Sequence, residues 1–152
     1  MTQGLFWFRR DLRLDDNHAL YEALTSCESV CCLFIFDRAI LSNLRQMQDH
    51  RVHFIHEALK TLQKELRDQG SELWVLHADA TSCLSRIAAD SRFGALFANH
   101  DHEPYGIERD KVVEAAWQEQ GKPFYTFKDH SIFERDEILK NNGGIYTVFT
   151  PY

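Results

Sequence analysis

Charged and polar side chains follow each of five short apolar segments in this 152-residue chain. Arginine and carboxylate groups hold ligands through charge-assisted hydrogen bonds, and histidine and carboxylate groups can also transfer protons. If the apolar segments are parallel strands, these polar residues meet at one edge of a sheet, where open α/β folds bind their ligands. The groups concerned are Arg9–Asp11, Asp37–Arg38, His77 with Asp79, Asn99–Glu103 and Lys128–Asp129.

The apolar segments themselves are typical of buried strands. They are continuous rather than alternating, as expected for strands that are covered on both faces. Several are rich in β-branched and aromatic residues, which favour extended structure. The predicted strands are Leu5–Phe8, Val30–Phe36, Leu73–Leu76, Ala95–Ala98 and Phe124–Phe127.

Capping and stop residues predict a helix between each pair of strands. Strands that alternate with helices indicate an α/β fold, a three-layer, doubly wound, Rossmann-like, five-stranded parallel sheet with helices on both faces. We expect residues 1–152 to form one such domain. The predicted boundaries are Asp16-Asn17 for a helix through Leu24, Asp49 and Gly70 for a long helix, Thr81-Ser82 for a helix that ends before Gly94, and Pro104 and Gly121 for the last helix.

Composition excludes several functional classes. The chain has 17 Lys and Arg against 23 Asp and Glu, a net charge of −6, which does not favour phosphate neutralisation by this domain alone. The four cysteines contain no C-x-x-C pair, so neither a zinc knuckle nor a redox dithiol is predicted, and Cys31 and Cys32 are expected to be buried. With no visible signal peptide or apolar span, a cytoplasmic location is the default expectation, with no membrane partner.

The type of ligand is narrowed by the motifs that are missing. The seven glycines form neither G-x-G-x-x-G nor G-x-x-x-x-G-K-[ST], so a planar ligand with a polar edge is favoured over a dinucleotide or a triphosphate. His100 and His102 flank Asp101, but no third ligand follows in a recognisable metal motif, so no metal site is predicted. His53 and His56 lie one helical turn apart and are expected to edge the long helix.

Three segments of the chain resemble motifs of one protein family. Phe6–Asn17 is similar to W-[FH]-R-x-D-L-R-x-x-D-N, Asn99–Asp110 to N-x-x-x-E-P-x-x-x-x-R-D, and Tyr146–Tyr152 to Y-x-V-[FY]-[TG]-P-[FY]. These motifs are found in the amino-terminal α/β domain of DNA photolyases and cryptochromes. They occur in order along the whole chain, so the chain resembles that antenna-binding domain.

The resemblance implies a division of labour within a longer parent protein. The α/β domain would hold an auxiliary antenna chromophore, while a helical domain would hold FAD and UV-damaged DNA. The parent would be a deoxyribodipyrimidine photo-lyase, a carbon–carbon lyase that repairs pyrimidine dimers by light-driven electron transfer from FAD. This chain would contribute no catalytic residue and would be inactive alone. The turn at Asn141–Gly144 and the aromatic segment Ile145–Tyr152 suggest a domain cut from a longer protein.

The resemblance to deazaflavin-binding members also implies a set of chromophore-binding residues. A phenylalanine would supply an apolar wall, the arginines would bind negative groups, and the carboxylates would accept hydrogen bonds. The expected antenna is 8-hydroxy-5-deazaflavin, with 5,10-methenyltetrahydrofolate second, and a flavin or no chromophore as further alternatives. The implied residues are Arg10, Phe34, Phe36, Asp37, Arg51, Asp101 and Glu103.

Other interpretations stay open from the sequence. One is a cryptochrome-type blue-light photoreceptor, which shares the same motifs. Another is a nucleotide-binding α/β domain of the electron-transfer flavoprotein type, and a third is a non-enzymatic interaction domain. The residues Arg13, Asp16 and Arg109-Asp110 are expected to hold the domain together or to meet the helical domain.

Overall fold

Five parallel strands form the sheet of the protein. In the computed structural model, which describes residues 3–42 and 49–131 together with residues 133, 137, 139, 143 and 144, each strand begins and ends within two residues of its predicted bounds. The predicted turn at Asn141–Gly144 lies partly outside the described residues, and Ile145–Tyr152 lies wholly outside them. The strands are β1 (Gln3–Phe8), β2 (Ser29–Asp37), β3 (Leu73–Ala78), β4 (Phe93–Asn99) and β5 (Phe124–Phe127).

Of the helices in the described residues, all but the last begin after a side chain that accepts a hydrogen bond from a free backbone N–H group. The Asn17 side chain accepts a hydrogen bond from the Leu20 amide, as its prediction as a cap requires. Pro104 occupies the first turn of the last helix, where a missing N–H costs nothing. Gly70 and Gly121 adopt the left-handed conformation just after two helix ends. The helices are α1 (His18–Ser26), α2 (Arg38–Leu41), α3 (His50–Asp68), α4 (Ala80–Ala88) and α5 (Pro104–Glu119).

Helices cover both faces of the sheet because successive strand residues point to opposite sides. On one face, Phe6 and Phe8 of β1 pack in a core with residues of α1 and α3, including Leu62. On the other face, Trp7 packs in a second core with residues of α4 and α5, including Trp117. The predicted three-layer α/β fold is therefore confirmed.

The strand order is β3-β2-β1-β4-β5, and all four neighbouring pairs are parallel. The chain runs outward from β1 through β2 to β3, and then returns to the other side of β1 to form β4 and β5. The strand order therefore reverses between β1 and β4, where this class of fold opens a crevice at the carboxyl ends of the strands. As expected from the sequence, Arg9–Asp11 and Asn99–Glu103 follow the two strands that flank this point.

Some local predictions were wrong. Thr81-Ser82 does not begin α4, because Asp79 precedes it and its Oδ1 accepts the Ser82 amide at 2.8 Å and the Thr81 hydroxyl at 2.9 Å. Gly94 lies inside β4 rather than after α4, since the strand already begins at the buried Phe93. Cys32 is buried as expected, but Cys31 is only half-buried.

The short helix α2 was not predicted. It follows β2 directly, where the Asp37 side chain accepts the Ala39 amide at 3.1 Å. None of the helices among the described residues combines the length and apolarity needed to cross a bilayer.

Candidate functional site

A cavity of about 480 Å³ opens at the carboxyl ends of β1 and β2, beside the first turn of α5. Its size is within the range of about 300–1,000 Å³ that is usual for small-molecule sites. The structure brings together all of the residues that the sequence analysis assigned to chromophore binding, although their binding role stays a prediction. These residues are Arg10, Phe34, Phe36, Asp37, Arg51, Asp101 and Glu103.

One wall of the cavity is apolar. The rings of Phe34 and Phe36 lie edge to face, with their centroids 5.0 Å apart. Ile40 of α2 and Ile55 of α3 also line this wall. Covering a flat, apolar ring system with aromatic and aliphatic groups of this kind lowers the free energy, because apolar surface is removed from water.

Two arginines lie at the rim, and each forms an exposed ion pair. Arg10 Nη2 lies 2.6 Å from Glu103 Oε1, and both side chains are more than half exposed. Arg51 Nη2 lies 2.7 Å from Asp49 Oδ2, with three quarters of the arginine side chain exposed. Exposed ion pairs contribute only about 0–1 kcal/mol each. Both guanidinium groups can therefore exchange these partners for a negative group of a ligand at small cost.

Asp101 presents a carboxylate in a mostly buried position. Its Oδ2 accepts a hydrogen bond from Arg109 Nη2 at 3.1 Å, and its Oδ1 accepts one from the Glu103 amide at 3.1 Å. Burial alone would raise the pKa of Asp101, but the Glu103 amide and the charges of Arg109, Arg9 and Arg10 together lower it below the ordinary value. The group is therefore ionised at neutral pH and can accept hydrogen bonds.

Tyr105 and Asp37 form a hydrogen bond at the side of the cavity. The Tyr105 hydroxyl donates to Asp37 Oδ2 at 2.6 Å, while Asp37 Oδ1 accepts the Ala39 amide at 3.1 Å. Burial and the hydrogen bond to Asp37 raise the pKa of Tyr105 to about 12. The phenol therefore keeps its proton at physiological pH.

Two more arginines lie at the base of the cavity, over the ring of Trp7. The guanidinium carbon of Arg9 is 4.8 Å from the ring centroid, and that of Arg109 is 4.6 Å from it. Arg9 also binds Asp110 at 2.6 Å and donates to the carbonyl oxygen of Asn99. Burial lowers the pKa of Arg9, and the charge of Asp110 opposes that effect. These contacts fix the base of the cavity to α5.

A buried polar network behind the cavity joins the end of β1 to the end of β4 and the start of α1. Asn99 Nδ2 donates to Asp11 Oδ2 at 2.6 Å and to Asn17 Oδ1 at 2.8 Å. Asn99 Oδ1 accepts the Ala19 amide at 3.0 Å. Asp11, Asn17 and Asn99 are almost fully buried, so these hydrogen bonds offset the cost of removing their polar groups from water.

The remaining motif residues hold the domain together, as the sequence suggested. Arg13 Nη2 contacts both carboxylate oxygens of Asp129 at 2.9 Å and also donates to the Asp16 carbonyl. Arg109 and Asp110 contact each other at 3.2 Å. Within the described part of the chain, no group of three or more His, Cys, Asp or Glu side chains is arranged to hold a metal ion.

Sequence reasoning did not assign several residues of the lining to the site. Arg109 was expected to hold the domain together or to meet the helical domain, and Tyr105 had no predicted role. The helical spacing of Arg51, Val52 and Ile55 was a signal that could have found two of them, because these positions share one helix face. Arg9 was expected at this edge of the sheet but was not assigned to chromophore binding. The lining residues outside the assigned set are Trp7, Phe8, Arg9, Ile35, Ile40, Leu41, Val52, Ile55, Tyr105 and Arg109.

Known proteins are similar to this chain in both sequence and fold. Deoxyribodipyrimidine photo-lyase of Synechococcus sp. is 34% identical over 148 residues, which cover 97% of this chain and 30% of that protein. Cryptochrome-1 of Erithacus rubecula is 30% identical over 143 residues, which cover 94% of this chain and 23% of that protein.

Two solved structures have the same fold. The archaeal photolyase of Sulfolobus tokodaii, described with two FAD molecules and with the implication of a novel light-harvesting cofactor, superposes with a TM-score of 0.80 at 33% identity, covering 89% of this chain and 32% of that one. The class III photolyase of Agrobacterium tumefaciens superposes with a TM-score of 0.86 at 25% identity, covering 99% of this chain and 30% of that one.

The chain spans about a third or less of the length of these four relatives. The family model described as DNA photolyase matches residues 4–152, which is nearly the whole chain. Together with the fold, the motifs at both sides of the cavity and the sequence identities, this match shows that the chain belongs to the DNA photolyase family.

Proposed function

We propose that residues 1–152 are the antenna-binding domain of a longer deoxyribodipyrimidine photo-lyase, and that the cavity holds 8-hydroxy-5-deazaflavin. The observation that carries the proposal is that all of the residues implied by the family resemblance line one cavity. When bound, the chromophore would supply light absorption, with the excitation passing to FAD in a helical domain of the same parent. Repair of UV-damaged DNA belongs to that parent, and this chain alone is expected to be inactive.

The chemistry of the lining fits a planar chromophore with a polar edge. Phe34, Phe36 and Ile55 offer an apolar surface for the ring system. Asp101 and the Tyr105–Asp37 pair offer oxygen acceptors to its polar edge. Arg10 and Arg51, which form exposed ion pairs, can bind its negative groups.

A flavin is the second candidate for the same cavity. The Sulfolobus tokodaii photolyase, which is 33% identical over most of this chain, is described with two FAD molecules. A flavin shares the tricyclic shape of the deazaflavin and could use the same apolar wall, with its phosphates near the two rim arginines. The folate 5,10-methenyltetrahydrofolate ranks below both, since folate-binding relatives rely partly on the helical domain.

Photolyases and cryptochromes both contain a domain similar to this one, so the alternative parent protein is a cryptochrome-type photoreceptor. Reading the coding DNA beyond codon 152 tests for such a parent: an open frame that encodes a helical domain would support a photolyase or a cryptochrome, and an immediate stop codon would favour the non-enzymatic interaction domain. The match of the photolyase family model to residues 4–152 argues against a domain of the electron-transfer flavoprotein type.

A direct test is to titrate the 152-residue chain with 8-hydroxy-5-deazaflavin, FAD and 5,10-methenyltetrahydrofolate, and to follow ligand fluorescence. We expect saturable one-to-one binding, tightest for the deazaflavin. The absence of saturable binding for all three ligands would reject the proposal.

The chain provides a matched control for the rim charges. Asp49–Arg51 and Asp90–Arg92 are both exposed pairs two residues apart, at 2.7 and 2.6 Å, but only Arg51 lines the cavity. Arg51→Met should weaken binding of an anionic chromophore severalfold, whereas Arg92→Met should leave it unchanged. Equal effects of the two substitutions would show that Arg51 acts only through the net charge of the domain.

A further inference from the structure

The Tyr105–Asp37 hydrogen bond connects two parts of the fold that lie on opposite sides of β1. Asp37 ends β2, whereas Tyr105 lies in the first turn of α5, which follows β4. Because β1 separates β2 from β4 in the sheet, the bond passes over the carboxyl end of β1. Both residues line the cavity. Since the strand order reverses between β1 and β4, the bond lies beside that point.

The two partners of this hydrogen bond differ in how much of each residue is exposed. Asp37 is only 5% exposed, and each of its oxygens already accepts a hydrogen bond from the protein. Tyr105 is 40% exposed, so its side chain is the more accessible member of the pair. Asp37 was expected to accept a hydrogen bond from the chromophore directly. Tyr105, as the more exposed partner, is better placed than Asp37 to meet a ligand.

The direction of the hydrogen bond decides what the phenol can recognise. A tyrosine hydroxyl has one proton, and here that proton is donated to Asp37 at 2.6 Å. The carboxylate of Asp37 cannot return a proton when it is ionised, so the arrangement cannot simply reverse. The Tyr105 oxygen therefore offers only lone pairs to the cavity, and a ligand must bring an N–H or O–H donor to it.

We propose that Tyr105 is a specificity-determining residue whose hydroxyl oxygen, oriented by Asp37, accepts a hydrogen bond from a ring N–H on the polar edge of the chromophore. This inference rests on the proposed function, because it concerns the chromophore of the same cavity. The class of ligand selected is a planar heterocycle with an imide or lactam N–H. A heterocycle that is N-alkylated at that position is disfavoured.

The test uses riboflavin and 3-methylriboflavin as probes, since they differ only in the imide N–H. The wild-type chain should bind riboflavin about fivefold to tenfold more tightly than its methylated analogue, the size of one neutral hydrogen bond. Tyr105→Phe should weaken the binding of riboflavin by a similar factor, so that the variant binds both probes equally. A double-mutant cycle of this kind separates a direct contact from a general loosening of the site.

Tyr125→Phe is the matched control. Tyr125 is 38% exposed, close to the value for Tyr105, but it lies on β5 outside the cavity lining. It should keep the wild-type preference for riboflavin. Circular dichroism and thermal melting should show that both variants fold.

The outcomes separate this inference from the proposed function. If the wild-type chain binds the two probes with equal affinity, this result alone overturns the proposed role of Tyr105, and the proposed function is unaffected. Retention of the preference in Tyr105→Phe also overturns it. If 8-hydroxy-5-deazaflavin, FAD and 5,10-methenyltetrahydrofolate all fail to bind the wild-type chain, the proposed function fails, and this inference fails with it.

Discussion

A side-chain carbon at Gly106 would overlap the carboxylate of Asp101. Gly106 is buried in the first turn of α5, and Asp101 lies in the loop that leads to this helix. The close approach lets the Asp101 side chain rest on the helix backbone while it binds Arg109 at 3.1 Å. The position of one cavity acceptor thus depends on the absence of a side chain five residues later.

Gly106→Ala should therefore destabilise the protein. Within a helix, replacing glycine by alanine ordinarily stabilises by about 0.5–1 kcal/mol. Here the added methyl group must push Asp101 away from Arg109, which costs about 1–3 kcal/mol for a buried, charged hydrogen bond. Urea unfolding measures the net change.

A second substitution provides the control for Gly106. In the background of Asp101→Ala the overlapping carboxylate is gone, so Gly106→Ala should become neutral or stabilising. A destabilisation of the same size in both backgrounds would show that the methyl group meets some other part of the structure.

The ionisation of Asp101 predicts a specific pH dependence. Its folded-state pKa lies below the ordinary value of 3.8, so the ionised form stabilises the folded state above pH 3.8. That contribution is lost as the pH falls through the folded-state pKa. Asp101→Asn should therefore be less stable than the wild type by about 1–3 kcal/mol at pH 7, with the difference shrinking below pH 4.

Asp68→Asn serves as the comparison for this pH series, because Asp68 is exposed and lies 3.7 Å from Lys64. We expect its stability to follow that of the wild type at every pH. Urea unfolding at pH 7, 5, 4 and 3 would check both curves, and a constant difference for Asp101→Asn would contradict the assignment.

The buried amide of Asn99 should not tolerate an isosteric acid. In Asn99→Asp, an oxygen replaces the Nδ2 that donates to Asp11 at 2.6 Å, so two carboxylates would meet in a buried site. We expect a loss of about 3–5 kcal/mol at pH 7, the range for an uncompensated buried charge, with partial recovery on acidification. Gln118→Glu makes the same change beside Glu114 on an exposed helix face, and should cost less than about 1 kcal/mol.

The double variant Asp101→Ala with Glu103→Ala should abolish antenna absorption in the full-length parent while the domain stays folded. The paired control, Glu108→Ala with Glu114→Ala, removes the same charge from residues of α5 that do not line the cavity. The absorption per FAD in the near-UV and blue is the measurement. If absorption is unchanged in the first variant, these carboxylates do not bind the antenna.

The sequence predicted the layers of the fold well because each layer leaves a local pattern. Val30–Phe36 is continuously apolar because β2 is covered by helices on both faces, and Asn17 is a cap that acts only on the next few residues. The start of α4 was misplaced because Asp79, two residues before Thr81, supplies the cap and accepts hydrogen bonds from both the Ser82 amide and the Thr81 hydroxyl.

The site was predicted as far as the family resemblance reaches, which includes Phe34, Phe36, Asp37 and Arg51 outside the three motifs. Arg10, Asp101 and Glu103 lie in those motifs, so the resemblance located them. The link between Tyr105 and Asp37 joins positions 68 residues apart, and no local pattern reports which side chain meets which across the sheet. Nor does composition reveal that Gly106 is required by a neighbouring carboxylate.

The contacts at the base of the cavity also determine when the site can form during folding. Arg9 and Asp110 are separated by 101 residues along the chain, and Asp11 and Asn99 by 88. Such distant contacts require closure of a long loop, which slows folding relative to local helix formation. During synthesis β1, β2 and β3 are complete long before β4 and α5 exist. A nascent chain that has not yet reached Asp110 lacks the base of the cavity, so retention of the chromophore would mark the moment when the two halves of the sheet have joined.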